Sequence, residues 1–429
     1  MMKKQKTLHP SSAGRLMMMI NDLPDVLLTE ILARLHSHRC AITCKSVCKQ
    51  WYSLISAPDF DSRFIANHAQ KHQKHSLIGI SVGTPVDGSI YSRQRCIRFI
   101  GSQGLESAWT HSTSEIFGEN SARIRILATD NDLILCDSTI STFRRGSAWY
   151  VHNPSTMEWF ALPLLPFGYF HRAGAISCET FHLQRDCRQG RQFGFQDSGR
   201  RFKVICIGNL TAYYYCSETN RWSELIRLEN EFVTPYTNFV AYRGKFYWTT
   251  ETVLEDFDVA RHIVVYDPSG DGSEKRLCEL PAASCRLVRL GVCQGSMRMM
   301  RTHLLQNNRL GLVFMLCVWE MEDEDEHGKV TWKLKHSIRS DQMSSQDSRL
   351  PSGPKSKMKL LQFHPVDEEI VYMDFCDCIV SCNLRTRDLE VVSEPPSHFR
   401  PSNPSTTLFD VSNMVYPLAH PWWPAPLFP

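Results

Sequence analysis

The sequence predicts a mainly β chain, with a β-propeller-like C-terminal domain preceded by a small all-α unit of three helices. Three observations predict it. Apolar residues at helical spacing are confined to the N-terminal part. From Leu77 onward the period switches to the alternation of strands, broken by Gly, Asn, Asp and Pro. A strand–turn–strand pattern with aromatic or aliphatic positions then recurs. WYVHNPSTMEWFALP (149–163), YYYCSETNRWSELI (213–226), VVYDPSGDGSEKRLCELP (264–281) and IVSCNLRTRDLEVV (379–392) are its copies. Repeated four-stranded units of about 40–50 residues mark a propeller, because each sheet buries its face only against the next. Six blades is the expected number, and a two-sheet sandwich is the structural alternative.

Composition bounds the class of protein. At 429 residues, with 42% hydrophobic and 22% charged residues, the chain is an ordinary globular one with room for two or three domains. A net charge of +3, with no long Lys/Arg stripe, argues against nucleic acid as a partner. No apolar run reaches the roughly 18 residues that span a bilayer, so no membrane association is expected. Residues 1–19 read as a disordered leader, since Leu16 to Ile20 is too short for a signal sequence and acidic Asp22 follows. Most of the 16 cysteines sit in apolar runs such as LILCD, VICIG and FMLCVW. Core thiols suit a reducing compartment, the cytosol or nucleus. The sequon Asn209-Leu210-Thr211 is then a chance match.

Residues 22–56 are the most informative stretch. Val26, Leu27, Leu28, Ile31, Leu32 and Leu35 recur at three- and four-residue spacing behind Leu23-Pro24, with Pro24 expected at the first helical position. After a polar break at His36 to Arg39, a second stripe runs through Val47, Cys48, Trp51, Leu54 and Ile55. A unit of about 40 residues cannot bury so much apolar surface by itself, so part of it belongs to a partner. An ordinary helical hairpin is the plain alternative.

These residues resemble the F-box, which docks substrate receptors onto the Skp-type adaptor of cullin–RING ubiquitin ligases. Leu23-Pro24, Leu27-Leu28, Ile31-Leu32, Leu35, Val47-Cys48, Trp51 and Leu54-Ile55 carry the resemblance, and Cys44 to Trp51 with Pro58-Asp59-Phe60 is similar to the plant form. His36 stands where the family usually has Pro, and Ala41-Ile42-Thr43 replaces a Leu-Leu-Arg type of run. The resemblance implies that Leu23, Pro24, Leu28, Ile31, Leu35, Val47 and Trp51 touch the adaptor. The β repeats, over about 120–392, resemble the F-box-associated domain of plant F-box proteins.

Together the resemblances imply a non-catalytic substrate receptor of an SCF-type ligase that binds a Skp-type adaptor through the F-box and a target protein through the propeller, without a cofactor. The alternatives are an F-box protein acting outside a ligase as a protein- or carbohydrate-binding module, or an enzyme with a coincidental helical cap. The expected organisation is a leader at 1–19, F-box at 20–60, linker helix at 61–75, propeller-like domain at 76–394 and Pro-rich tail at 395–429. That tail holds nine of the 22 prolines and is expected to pack on the propeller.

Other motifs carry less. The sequence has no Gly-x-Ser-x-Gly elbow, His-Glu-x-x-His, Walker loop or Rossmann glycine fingerprint. Cys376, Cys378 and Cys382 lack a second ligand pair at zinc spacing and read as core cysteines. Cys40, Cys44 and Cys48 fall at one helical spacing, near His36 and His38, and Cys48 is assigned to the apolar core. Glu320 to His327 reads as a solvated hairpin tip, Arg339 to Lys357 as a mobile insertion, and Arg185 to Arg201 as an exposed basic loop or an acidic-ligand site.

Overall fold

The computed structural model describes residues 20, 23–68, 75–83, 94–101, 105–118, 124–138, 148–164, 173–178, 201–207, 211–227, 239–253, 259–268, 275–279, 287–307, 311–324, 330–350, 358–375, 378–394 and 413–419. The leader, residues 185–200, Cys376 and the tail apart from 413–419 lie outside these. Two compact units divide near His72.

The second unit is a six-bladed β-propeller, as the repeats predict. Blade two holds β3 to β6 (Ile124–Asp130, Leu133–Ser138, Ala148–Asn153, Glu158–Ala161). Blade three holds β7 to β10 (Ala173–Cys178, Phe202–Ile207, Thr211–Cys216, Arg221–Arg227). Blade four holds β11 to β14 (Phe239–Tyr242, Lys245–Val253, Val259–Tyr266, Lys275–Glu279). Blade five holds β15 to β18 (Leu287–Cys293, Ser296–Asn307, Gly311–Glu324, Val330–Arg339), and blade six holds β19 to β22 (Lys359–Phe363, Ile370–Phe375, Cys378–Asn383, Leu389–Ser393). Blade one joins β1 (His75–Gly83) and β2 (Gln94–Ile100) to the last strand, β23 (Asn413–Ala419).

The first strands of successive blades touch in the order β3, β7, β11, β15, β19, and β23 links β19 back to β3. The C-terminal strand is therefore the innermost strand of the first blade and closes the ring. It pairs antiparallel with β1, with Leu77 opposite Pro417 and Ile78 opposite Tyr416. Across to blade two, Thr129 Oγ1 donates to the Pro417 carbonyl at 2.6 Å and the Tyr416 hydroxyl to the Ile126 carbonyl at 3.2 Å. A proline is tolerated there because an innermost strand has one edge without a ladder partner.

All four copies of the sequence repeat are hairpins of a third and fourth strand, in blades two, three, four and six. Three of their turns hold a residue with positive φ: Met157 (64°), Asn220 (51°) and Arg387 (68°). Asn153 and Asn383 brace two of them, accepting from the amides of Ser155 and of Arg385 and Thr386, each at 2.9 Å. The expected tight turns at Arg243-Gly244 and Gln294-Gly295 have φ of 49° and 77°, and 50° and 74°, which fits the type I′ hairpin. Blades meet through large apolar side chains. Trp149 of β5 lies over Gly174 of β7, where an added Cβ would stand 2.6 Å from the indole. Only glycine admits that approach.

Three expectations need correction. The first concerns the uniform alternation after Leu77, which is interrupted by a helix, α5 (Leu105–Phe117). Its Ser, Thr and His residues are weak helix formers, and packing decides the outcome. Trp109 and Phe117 are buried against Phe99, Tyr150 and Trp159, and the Trp159 indole N–H donates to Ser112 Oγ at 2.5 Å.

The acidic run is the second. It is not merely a hairpin tip, because β17 continues to Glu324. Glu320 accepts from Arg298 at 2.9 and 2.5 Å and pairs with Lys335 at 3.2 Å. Burial opposes ionisation of Glu320, but these bonds prevail and hold its carboxyl below the usual range. Arg298 is 2% exposed and also reaches the Glu368 carboxylate at 2.7 Å, tying blade five to blade six. The third correction concerns residues 340–350, which are packed rather than a mobile insertion: Met343 and Leu350 are buried in the blade-six core, and Ser344 bridges to Asp388.

His152 links α5 to its blade. Fully buried, it stacks on Trp159 with centroids 4.0 Å apart, and its Nδ1–H donates to the Glu158 carbonyl at 3.0 Å. Burial pushes its pKa down to about 3, against that hydrogen bond. The unfolded chain takes up this proton near pH 6.5, so the neutral imidazole's contribution is whole above that pH. It is lost as pH falls from 6.5 toward 3, a destabilisation on the order of a few kcal/mol. Thermal melts across this window should show His152→Phe with a shallower acid slope than wild type. Parallel slopes would assign the acid loss to other groups. Removal of residues 413–429 takes away the innermost strand of blade one, and its expected outcome is loss of the cooperative β melt in circular dichroism.

Candidate adaptor-docking site and propeller face

Among its described residues the N-terminal unit contains four helices: α1 (Asp25–Ala33), α2 (His38–Cys44), α3 (Lys49–Ile55) and α4 (Phe60–His68). Local chemistry sets their ends. Pro24 is the N-cap of α1, one residue earlier than expected, and its carbonyl accepts from the amides of Leu27 and Leu28 at 2.9 and 3.0 Å. Ser37 caps α2 through the Cys40 amide at 3.3 Å. Cys48 caps α3, its Sγ lying 3.5 Å from the Trp51 amide nitrogen. Cys40, Cys44 and Cys48 therefore do not share one helix, because a turn at 45–47 intervenes. Gln50 ties α3 to α1, donating to Asp25 Oδ1 at 2.8 Å.

Leu28, Leu32, Ala33, Ala41, Ile55, Phe60 and Phe64 form the buried core, with Leu35, Cys44, Trp51 and Leu54 packed against it. Through Phe60 and Phe64, α4 is part of this core rather than a free linker. The expected contact residues separate accordingly. Leu28 is 0% exposed, so its assignment to the adaptor is corrected: it holds α1 onto the unit. Leu35 and Trp51 are half-buried on the same core, and Leu23 is half-buried. Pro24 is exposed, as are Ile31 (44%) and Val47 (59%).

Four further large side chains are left in solvent by the same folding: Val26 (70%), Leu27 (52%), Ile42 (41%) and Tyr52 (59%). The sequence signal for Val26 and Leu27 is their place on the opposite flank of α1 from Leu28 and Leu32. A helix apolar on both flanks, one flank feeding a filled core, presents the other to something else. Among the described residues, no group of three or more His, Cys, Asp or Glu is arranged to hold a metal ion. No described helix is long and apolar enough to cross a membrane.

On the propeller, antiparallel order places the connections between first and second strands, and between third and fourth, at one end of the ring. The turns at 131–132, 154–157, 217–220, 243–244, 294–295 and 384–387 therefore share a face. Rigid strands ending in turns of varied sequence make such a face suited to protein recognition. Of the buried cysteines, Cys136 and Cys206 have their thiol pKa raised by burial, which leaves them inert core residues.

A small helical unit with an unspent apolar flank and a six-bladed propeller define a two-module binding protein. Residues 20–64 match the family described as F-box-like. Residues 90–409 match the family described as "F-box protein At3g26010-like, beta-propeller". The chain belongs to this family of plant F-box proteins. Similar proteins of Arabidopsis thaliana include "F-box protein At3g28330", 24% identical over 371 residues, spanning 84% of this chain and 82% of that protein. "F-box protein At5g49610" is 25% identical over 334 residues, covering 73% and 78% of the two chains. "F-box/kelch-repeat protein At3g17530" is 24% identical over 253 residues, covering 56% and 57%.

The division of labour between core and exposed positions of this unit is measurable as stability. Leu28→Ala should cost about 2–5 kcal/mol through loss of burial and a residual cavity. Val47→Ala and Leu27→Ala, at exposed positions, should stay within about 0.5 kcal/mol of wild type in denaturant titrations.

Proposed function

We propose that the protein is the substrate-recognition subunit of an SCF-type cullin–RING ubiquitin ligase. Its F-box binds a Skp-type adaptor, and its propeller binds a target protein. The observation that carries this reading is the pair of flanks on α1, one filling the F-box core and the other, with Val26, Leu27 and Ile31, exposed. Burying such side chains at an interface contributes about 25 cal/mol per Å² of apolar area before the costs of association. The proposed contact set is Leu23, Pro24, Val26, Leu27, Ile31 and Val47, with Leu35 and Trp51 supporting it from the core side.

In this role the protein carries out no bond-making itself and uses no cofactor. It holds a target near the ubiquitin-charged enzyme, which turns a bimolecular encounter into an intramolecular one. The work belongs to the cytosol or nucleus, and neither nucleic acid nor a membrane is part of it.

The test is co-expression of the full chain with a plant Skp-type adaptor, followed by size-exclusion chromatography. A stoichiometric complex is expected, lost in the double variant Leu23→Ala, Pro24→Ala while the β-domain melt is retained. Co-elution of that variant at wild-type yield would move the contact elsewhere. Co-precipitation of the cullin separates a ligase subunit from an F-box protein that stops at the adaptor.

A further inference from the structure

His36 places an imidazole in the bend just before α2. Here its Nε2 lies 3.3 Å from Cys40 Sγ, one turn ahead in the chain, and the contact is exposed. The geometry follows from local structure. Ser37 caps α2 and fixes Cys40 in the first turn, which leaves the preceding imidazole free to fold back over the thiol. Cys44 stands one turn further along the same helix, half-buried like Cys40. Burial and the neighbouring Cys40 raise its thiol pKa. Of the ten cysteines whose side chains are described, six, at 136, 206, 293, 317, 378 and 382, are buried in the propeller and shielded from solvent.

We propose that Cys40 is a site of reversible S-thiolation by low-molecular-weight disulfides, with His36 as its proton acceptor. A thiol must lose its proton to attack a disulfide, and an imidazole nitrogen within hydrogen-bond reach can take it. The Cys40 proton moves to His36 Nε2, and the sulfur attacks one sulfur of the disulfide. A new Cys40–S–S bond forms, and the original S–S bond breaks with its electron pair on the departing thiolate. That thiolate takes the proton from the His36 imidazolium and leaves as a thiol. Cys40 sulfur is oxidised and the departing sulfur reduced, so no other oxidant is needed. The reverse exchange, with excess thiol, restores Cys40. The F-box thereby carries a group that responds to the local thiol–disulfide balance.

The test uses the full chain near neutral pH with limiting glutathione disulfide, acid quench and peptide mass mapping of the Cys40 and Cys44 adducts over time. Cys40 should be modified about tenfold faster than Cys44. His36→Phe and His36→Asn should each slow Cys40 by about the same factor and leave Cys44 unchanged. Circular dichroism reports folding, and two substitutions at this exposed position guard against a local artefact. Dithiothreitol should remove the adduct. Equal rates at Cys40 and Cys44, or an unchanged Cys40 rate in both His36 variants, would overturn the proposal.

Discussion

Ring closure by the C-terminal strand is the constraint on which the propeller depends. Each blade covers its apolar face only by packing on the next, so a ring with one open joint would expose two faces. Blade one spans the two ends of the domain: β1 and β2 come from its start and β23 from its end, 413–419. Seven register pairs between β1 and β23 fasten that joint. Thr129 and Tyr416 extend it to blade two through main-chain carbonyls. Long-range pairing of this kind stabilises late, after the intervening chain has been ordered.

The joints between blades are made in different ways, and the differences follow from side-chain chemistry. Between blades two and three, Trp149 seats against Gly174, and Tyr215 and Phe202 complete an apolar contact. Between blades five and six, a nearly inaccessible Arg298 is held by two carboxylates from opposite blades. Removing either acid would leave part of the guanidinium charge unpaired in a buried place, which is costly. Between blades one and two, α5 inserts Trp109 and Phe117 among aromatic rings, and His152 is kept neutral there.

The F-box solves the opposite problem. Among the described residues, most large apolar side chains of the propeller are buried, whereas the helical unit leaves several in solvent after filling its own core. Leu28 and Leu32 serve folding, and Val26, Leu27 and Ile31 lie outside. Spacing puts Val26 and Leu27 on the opposite flank of α1 from Leu28 and Leu32, but both flanks are equally apolar, so it does not say which one faces the core. The difference between a core residue and an exposed one lies in what packs against α1, namely α3 and α4. The same limit applied to Cys48, which reads as a core cysteine by pattern and is a helix cap in three dimensions.

By itself the sequence determined the two modules, the switch from helical to alternating period, the tight turns at Arg243-Gly244 and Gln294-Gly295, and the repeated third–fourth-strand hairpins. These are local features, set by backbone preferences and by nearest-neighbour patterning. Tertiary structure alone decided which apolar residues of α1 face outward, that LESAWTHSTSEIF is a helix, that Glu320 serves a buried arginine, and that Met343 and Leu350 anchor a polar-looking segment. It also decided that Asn413 to Ala419 close the ring. Each of these rests on contacts between residues far apart in the chain, and burial against a distant partner has no signature in the local sequence.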